Sequence, residues 1–550
     1  LMIHERAGQV ALQKDLVNIP KLMSHYYRLI PNVEIDEQKV TFGTSGHRGS
    51  AFNHSFNEYH LLAITQAVVD HRNRAKITGP LYVGIDTHAL SQAAYITVIE
   101  VLVANGVNVI VHQHDGFTPT PVISHAIITA NKGHYGEVDG LIITPSHNPP
   151  QDGGIKYNPP HGGPAEGEIT QWIENSANTY LRQHLNGVKR EAYAQALLSG
   201  SVQSVDLIQP YVDDLINVID MEAIAKAKIR LGVDPLGGSG IHYWAEIAKR
   251  YEIDITLVND RVDPSFSFMP LDKDGKIRMD CSSPYAMSGL LKYQDDFDLC
   301  VGNDPDYDRH GIVCPSSGLM NPNHFLAVAI DYLVTHRPQW SESLIIGKTL
   351  VSSAMIDKVC AQHQRVMCEV PVGFKWFVDG LAQAQFAFGG EESAGAAFLR
   401  RDGTAWTTDK DGFILALLAA EILAVTGQTP AQRYAELVKL HGVSFYARVD
   451  SPVSVHKKAM FAEMIAGKVD VSVLGTDTLA GEMIQTVLTK APGNHANIGG
   501  IKVVSQHAWF AARPSGTEAL FKIYGESFVS QIHLDEVLSQ AQEIIDKMLT

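Results

Sequence analysis

The feature that most constrains this chain is a rhythm met three times: an apolar run, an unusual polar loop and a helical segment. In its first appearance, Leu81 to Asp86 reads as a buried strand. Ser91 to Asn105 predicts a helix with Ser91 as N-cap and Gly106 at the C-cap position. Asn108 to Gln113 and Gly140 to Thr144 are the next strands. The second appearance runs through the strand Lys228 to Val233, the helix Ile241 to Tyr251, and the strands Ile255 to Val258 and Asp298 to Gly302. The third takes in Leu344 to Ile346, a helix over Ser353 to Gln362, the strand Val366 to Val370, a helix near Lys375 to Leu381 and the strand Gln385 to Phe388. The stretch Asp411 to Thr426 closes it and is expected to be an amphipathic helix. Strand–helix–strand recurrence calls for parallel sheets with crossover helices.

Beyond Gly442 the pattern changes. Strands near Val443 to Val449 and Ala508 to Ala512, and a helix from Leu534 to Met548, point to a smaller α+β unit. Residues before about position 40 read as polar and irregular. At ~150 residues per domain, 550 residues leave room for three or four domains. The expected division is 1–205, 206–322 and 323–441 for three α/β domains, then 442–550 for the α+β domain.

Charge narrows the partners. Lys plus Arg is 44 and Asp plus Glu is 60, a net charge of −16. Nucleic-acid binders show a basic face or stripe, so no nucleic-acid partner is expected. The longest apolar run, Phe413 to Val425, carries Glu421 and is shorter than the ~20 residues a membrane span needs. The N-terminal residues lack the apolar core of a secretory signal. Cys281, Cys300, Cys314, Cys360 and Cys368 contain no C-x-x-C pair, which fits a reduced protein. A cytoplasmic protein without a membrane partner is expected.

In open α/β sheets, ligands bind beyond the carboxyl ends of the strands, and each unit has a polar loop there. Thr144-Pro-Ser146-His147-Asn148-Pro149 follows the first. Ser146 is a candidate phosphoryl or acyl acceptor, or part of a capped turn; its flanks are not those of a G-x-S-x-G elbow. Asp304-Pro305-Asp306-Tyr307-Asp308-Arg309 follows the second. Carboxylates at alternate positions can converge on a hard cation such as Mg²⁺. An EF-hand is excluded by Pro315 at the twelfth loop position, while an aspartyl nucleophile remains open from the D-x-D spacing. Gly389-Gly390-Glu391-Glu392-Ser393 follows the third, with groups suited to sugar hydroxyls or to a plain glycine-rich turn. In the tail, Arg513-Pro514-Ser515-Gly516-Thr517 could cradle a phosphate. Thr44-Ser45-Gly46-His47-Arg48 is a small basic loop, and Lys156 and Lys375 are surface lysines by default. Gly347-Lys348-Thr349 is not a Walker A end, because Glu342 stands where that motif needs glycine. His112 and His114 are expected to face solvent.

Taken in order, T-S-G-H-R-G, T-P-S-H-N-P, D-P-D-Y-D-R, G-E-E-S and R-P-S-G-T resemble the α-D-phosphohexomutase superfamily over about residues 41 to 527, most of all its long bacterial branch. The resemblance implies four domains around a central cleft. It implies interconversion of glucose 1-phosphate and glucose 6-phosphate through a phosphoserine and glucose 1,6-bisphosphate. Ser146 matches the phosphoserine, with Arg48, His147 and Lys156 as its catalytic neighbours. Asp304, Asp306 and Asp308, joined by a Ser146 phosphoryl oxygen, match the ligands of one Mg²⁺. Thr44, Arg309, Lys375, Glu391, Ser393, Arg513, Ser515, Gly516 and Thr517 match substrate-binding positions. A homodimer is a further implication. Pro305 and Tyr307 depart from the glycines many relatives carry between the aspartates. The rival readings are a mannose- or glucosamine-phosphate mutase, a metal-dependent phosphatase and a silent sugar-phosphate sensor.

Overall fold

The computed structural model describes residues 3–43, 46–133, 137–467, 469–515 and 520–549. The recurring rhythm is built as three sheets with parallel cores. In the first, Leu81–Ile85 lies between Val109–His112 and Asp139–Ile143, all parallel. In the second, Arg230–Asp234 lies between Asp254–Leu257 and Leu299–Gly302. In the third, Ile345–Thr349 lies between Met367–Val370 and Phe386–Glu391.

Each parallel run then ends the same way. The chain leaves the last strand of each trio, crosses a polar loop and returns antiparallel beside it: Asp152–Asn158 in the first unit, Gly311–Cys314 in the second, Gly395–Phe398 in the third; the first sheet adds Val202–Val205, parallel to Val109–His112. The three chemically unusual loops are these links. Each contains a non-glycine residue in the left-handed region: Ser146 (φ 59°), Tyr307 (φ 61°) and Ala394 (φ 72°). That conformation is uncommon for residues with a Cβ and persists where the surroundings over-determine it.

The tail is an antiparallel sheet of Phe445–Pro452, Leu520–Ser527, Ala508–Pro514, Asn497–Val504 and Thr486–Lys490. The helix Gln531–Met548 covers it with Leu534, Val537, Ala541 and Ile544 buried.

Several expectations are corrected. Gly412–Thr426 is not amphipathic: every residue from Gly412 to Ile422 is buried, because the helix sits in a core shared by the units. Its one charge, Glu421, accepts from Arg337 at 2.6 and 2.9 Å and from the Tyr332 hydroxyl at 2.9 Å. The first helix of the first sheet is Ala89–Ala104, capped at His88; Ser91 lies inside it and donates to Asp86 at 2.6 Å. Residues before 40 are not irregular throughout. Ile19–Arg28 is a helix capped by Asn18, which buries Leu22 and Tyr26. His112 is buried and its Nδ1 accepts from the Leu207 N–H, whereas His114 is exposed. Phe374–Phe377 is a 3-10 turn leading into the short helix Val378–Ala382. All five cysteines are free. Among the described residues no single helix is long and apolar enough to cross a membrane.

Candidate active site

The serine and metal loops, 158 residues apart for Ser146 and Asp304, meet face to face: Ser146 Oγ donates to Asp304 Oδ2 at 2.9 Å. Ser146 is fully buried. Two close approaches hold the loops. A Cβ on Gly154 would stand 2.2 Å from the Thr144 carbonyl oxygen, and one on Gly412 would stand 2.2 Å from that of Arg309. Neither position accepts a side chain without moving the loop. His147 Nδ1 lies 3.4 Å from Ser146 Oγ. Burial and the charge of Arg309 push the His147 imidazole well below its ordinary range, against the pull of Asp280.

Asp304, Asp306 and Asp308 are all buried, and one oxygen of each lies within 4.8 Å of the others. Burial and the two neighbouring carboxylates push Asp304 well above the usual carboxyl range. Burial alone would raise Asp308 too, but Lys156, Lys410 and Arg309 hold it below that range. Asp306 Oδ2 accepts from Lys156 Nζ at 2.7 Å and from the Thr120 hydroxyl at 2.6 Å; the Thr120 N–H reaches its carbonyl at 2.9 Å. Asp306 Oδ1 and Asp308 Oδ1 are buried without a hydrogen-bond partner. Three hard oxygen donors, mutually repelling and partly unpaired, fit a divalent cation of the Mg²⁺ type. Tyr307 explains how a bulky residue stands between ligands: its ring packs against Phe413 at 4.5 Å and its hydroxyl accepts from Trp244 Nε1 at 3.1 Å.

Lys156 is no surface lysine. It is buried on the return strand Asp152–Asn158, and Asp306 and Asp308 outweigh burial to keep it protonated. Arg48 is half-buried, with its guanidinium 3.4 Å from Asn148 Oδ1. Burial and the nearby positive charge of Arg309 depress Arg48, as expected of cations gathered for an anion. Lys375 is half-buried over the Trp376 ring at 5.2 Å.

Glu391 ends the strand Phe386–Glu391 and lies 3.7 Å from Lys410 Nζ, while Ser393 is half-buried in the link that follows. Glu392 turns away to accept from Thr349 at 2.8 Å and feels the charge of Arg513. The tail arginine therefore faces the third unit's loop. Arg513 Nε is buried without a hydrogen-bond partner, and Ser515 is buried beside it. Thr44, Gly516 and Thr517 lie outside the described residues.

Sequence reasoning missed Lys410, whose Nζ lies 3.2 Å from Asp308 Oδ2 and which bridges the aspartate loop and Glu391. Its signal was present: Asp409-Lys410-Asp411 directly precedes a helix whose first turns are wholly apolar. It also missed Thr120, which sits in Thr-Pro-Thr-Pro at a helix start and shows its target only in three dimensions.

Comparison with known proteins agrees with this geometry. Residues 39–184, 209–318 and 321–441 match the alpha/beta/alpha domains I, II and III of phosphoglucomutase/phosphomannomutase. The chain belongs to the phosphoglucomutase/phosphomannomutase family of the α-D-phosphohexomutase superfamily, and is an enzyme of that class. Within it the chain falls on the bacterial phosphoglucomutase side. It is 52% identical to the phosphoglucomutase of Komagataeibacter xylinus over 98% of this chain and 97% of that protein. Its fold is that of the open form of Paramecium parafusin, a phosphoglucomutase, with a TM-score of 0.73 at 21% identity, covering 94% of this chain and 96% of that one. An Aspergillus fumigatus N-acetylphosphoglucosamine mutase, solved with GlcNAc-6P and magnesium, gives a TM-score of 0.50 at 17% identity over 78% of this chain and 93% of that one.

Proposed function

We propose that this enzyme interconverts α-D-glucose 1-phosphate and D-glucose 6-phosphate through a phosphoserine at Ser146 and glucose 1,6-bisphosphate. The observation that carries the reading is the meeting of Ser146 Oγ with Asp304 at 2.9 Å, inside a ring of Lys156, Lys410, Arg48 and Arg309. A buried serine in a strained backbone, surrounded by cations and a vacant-oxygen carboxylate cluster, suits a group that carries a phosphoryl and little else. The near-full-length similarity to a bacterial phosphoglucomutase supports glucose as the sugar.

In this reading four units, 1–205, 206–322, 323–441 and 442–550, supply one loop each. Phosphoryl transfer through a loose transition state is mainly a matter of positioning and charge. Mg²⁺, held by Asp304, Asp306, Asp308 and a phosphoserine oxygen, would supply positive charge to the phosphoryl oxygens. Arg48 and Arg309 hold the same oxygens from the chain's side, with Lys156 neutralising the aspartates behind them. As the sugar hydroxyl oxygen forms its new O–P bond it loses a proton. As the serine O–P bond breaks, Ser146 Oγ gains one. Lys156, Arg48 and His147, whose Nδ1 is 3.4 Å from that oxygen, are the candidates for exchanging these protons. The second half runs in reverse with the other phosphate, after the bisphosphate has turned. Glu391 and Ser393 bind sugar hydroxyls meanwhile, and Lys375 belongs to the basic lining around the reacting phosphate. Arg513, Ser515, Gly516 and Thr517 grip the phosphate that is not reacting, and Thr44 belongs to the substrate-binding set. The reading also includes a homodimer and a cytoplasmic enzyme.

The test is direct. With glucose 1-phosphate, Mg²⁺ and a trace of glucose 1,6-bisphosphate, glucose 6-phosphate should form rapidly. Turnover of mannose 1-phosphate or glucosamine phosphate in its place would keep the mechanism and reject the sugar. Inorganic phosphate as the main product would reject the mutase.

A further inference from the structure

Beneath the serine loop lies a buried ion pair that the phosphoryl chemistry does not use. Asp86 stands just past the strand Leu81–Ile85, and His88 immediately precedes the helix Ala89–Ala104 without capping it through its side chain. Both are almost fully buried. The Asp86 carboxylate accepts four hydrogen bonds. Oδ1 takes the Ser91 hydroxyl at 2.6 Å and the His88 N–H at 3.0 Å; Oδ2 takes the Thr144 hydroxyl at 2.7 Å and His88 Nδ1 at 2.8 Å. Two of these four bonds lead to the serine loop.

The first route runs through Thr144. Its hydroxyl has one proton, which goes to Asp86, so a lone pair is left to face the Ser146 N–H, bonded at 2.8 Å. The second runs through His88, whose Nε2 faces the Asn148 carbonyl at 2.9 Å. A carbonyl only accepts, so Nε2 carries a proton. An ionised Asp86 also only accepts, so Nδ1 carries one too. His88 is therefore an imidazolium. Burial disfavours that charge, but Asp86 overcomes it and Asp152 adds to the pull; the other neighbour is the Phe266 ring, 5.2 Å away. Reciprocally, His88 outweighs burial to hold Asp86 below the usual carboxyl range.

Between these two anchored points sits Ser146, with φ 59°. A serine gains nothing from that conformation by itself. Its N–H must be caught on one side and the carbonyl two residues on must be held on the other. We propose that the Asp86–His88 pair, acting through Thr144 and the Asn148 carbonyl, is the positioning device that keeps Ser146 in its left-handed conformation with Oγ aimed at Asp304. This rests on the reading of Ser146 as the phosphoryl carrier. Misplacing a reacting atom by about 1 Å costs on the order of a hundredfold, so the device acts on kcat more than on substrate binding.

Variant kinetics and the protonation of His88 test it together. Thr144→Val removes the hydroxyl at nearly constant volume and should lower kcat by about 10–100-fold while KM for glucose 1-phosphate stays near the wild-type value. Thr144→Ser should restore kcat. Nitrogen-15 NMR of the folded wild-type protein should find both ring nitrogens of His88 protonated at neutral pH. His88→Gln should follow Thr144→Val in kcat; if it does not fold, the NMR signature and the threonine pair still decide. Wild-type kcat in Thr144→Val, a Thr144→Ser no better than Thr144→Val, or a neutral His88 tautomer would overturn the device. Loading of wild-type Ser146 by glucose 1,6-bisphosphate, read by intact mass, separates the two levels. If the wild type does not load, the phosphoserine reading fails. If it loads and the variants match it in kcat, only the positioning proposal fails.

Discussion

The serine and metal loops and the tail's sheet are held in different ways. The serine and metal loops come from different units and are stitched by many short bonds: Ser146 to Asp304, Lys156 and Thr120 to Asp306, and the Thr87 hydroxyl to the Gly237 carbonyl at 2.7 Å. The tail meets the third unit through an apolar cluster of Leu350, Val351, Trp509, Ala511 and Tyr524 edged by polar bonds. There Glu526 accepts from Ser353, from the Ala354 N–H at 2.7 Å, from Ser444 and from Trp509 Nε1 at 2.7 Å, while Lys502 reaches the Leu350 carbonyl at 2.7 Å and Glu369 at 2.9 Å. Bonds between the first two units fix the serine and metal loops against each other, and the joint fixes the tail against the third unit. A relay in which the sugar phosphate turns over a stationary serine needs both.

The largest expected effect is at the stitched end. Ser146→Ala should lower turnover by about 10⁴-fold or more, as loss of a covalent carrier does; a coupled assay for glucose 6-phosphate reads it. Chelation should come next. EDTA should stop turnover and excess Mg²⁺ should restore it. Asp306→Asn should weaken Mn²⁺ binding, followed by electron paramagnetic resonance, by about 10-fold or more. Activity that persists in EDTA would dissolve the contrast, since nothing would then set the aspartate cluster apart.

At the tail the effects should be smaller and of another kind. Arg513→Ala removes a charged hydrogen-bond donor worth ~1.5–3 kcal/mol. KM for the sugar phosphate should rise accordingly, about 10–100-fold, with kcat changed less. A loss confined to kcat would place Arg513 in the reaction centre and erase the comparison. Glu526→Gln should cost ~1–3 kcal/mol of tail stability, seen as faster hydrogen exchange in the strands 445–452 and 508–514. Loading of Ser146 from the bisphosphate should be unchanged. Equal loosening of the serine loop would show that joint and centre are one body.

Much of this was legible in the sequence, because apolar runs such as Leu81 to Asp86 announce buried strands and the loops after them are chemically odd. The return strands were not. Asp152–Asn158 buries Lys156 and Asn158 among its residues, so it shows no apolar run and reads as loop. Gly412–Thr426 was read with the wrong surroundings, since a helix enclosed on all sides needs neighbours from several units that no local window contains. The same limit hid Lys410, Thr120 and His88. Their roles come from partners up to 186 residues away, as Thr120 is from Asp306. A lone threonine or histidine carries no local sign of such a meeting, and the place of Lys410 ahead of an apolar helix marks it without naming its partners.

The central claim is that Ser146 carries the phosphoryl group through the reaction. Rapid mixing of phosphorylated enzyme with glucose 6-phosphate, quenching, and peptide mass analysis of residues 139–158 tests it most directly. The account predicts that phosphate leaves Ser146 as glucose 1,6-bisphosphate appears, at a rate no slower than turnover. Turnover with Ser146 unphosphorylated throughout, or with phosphate moving to another residue, would contradict it.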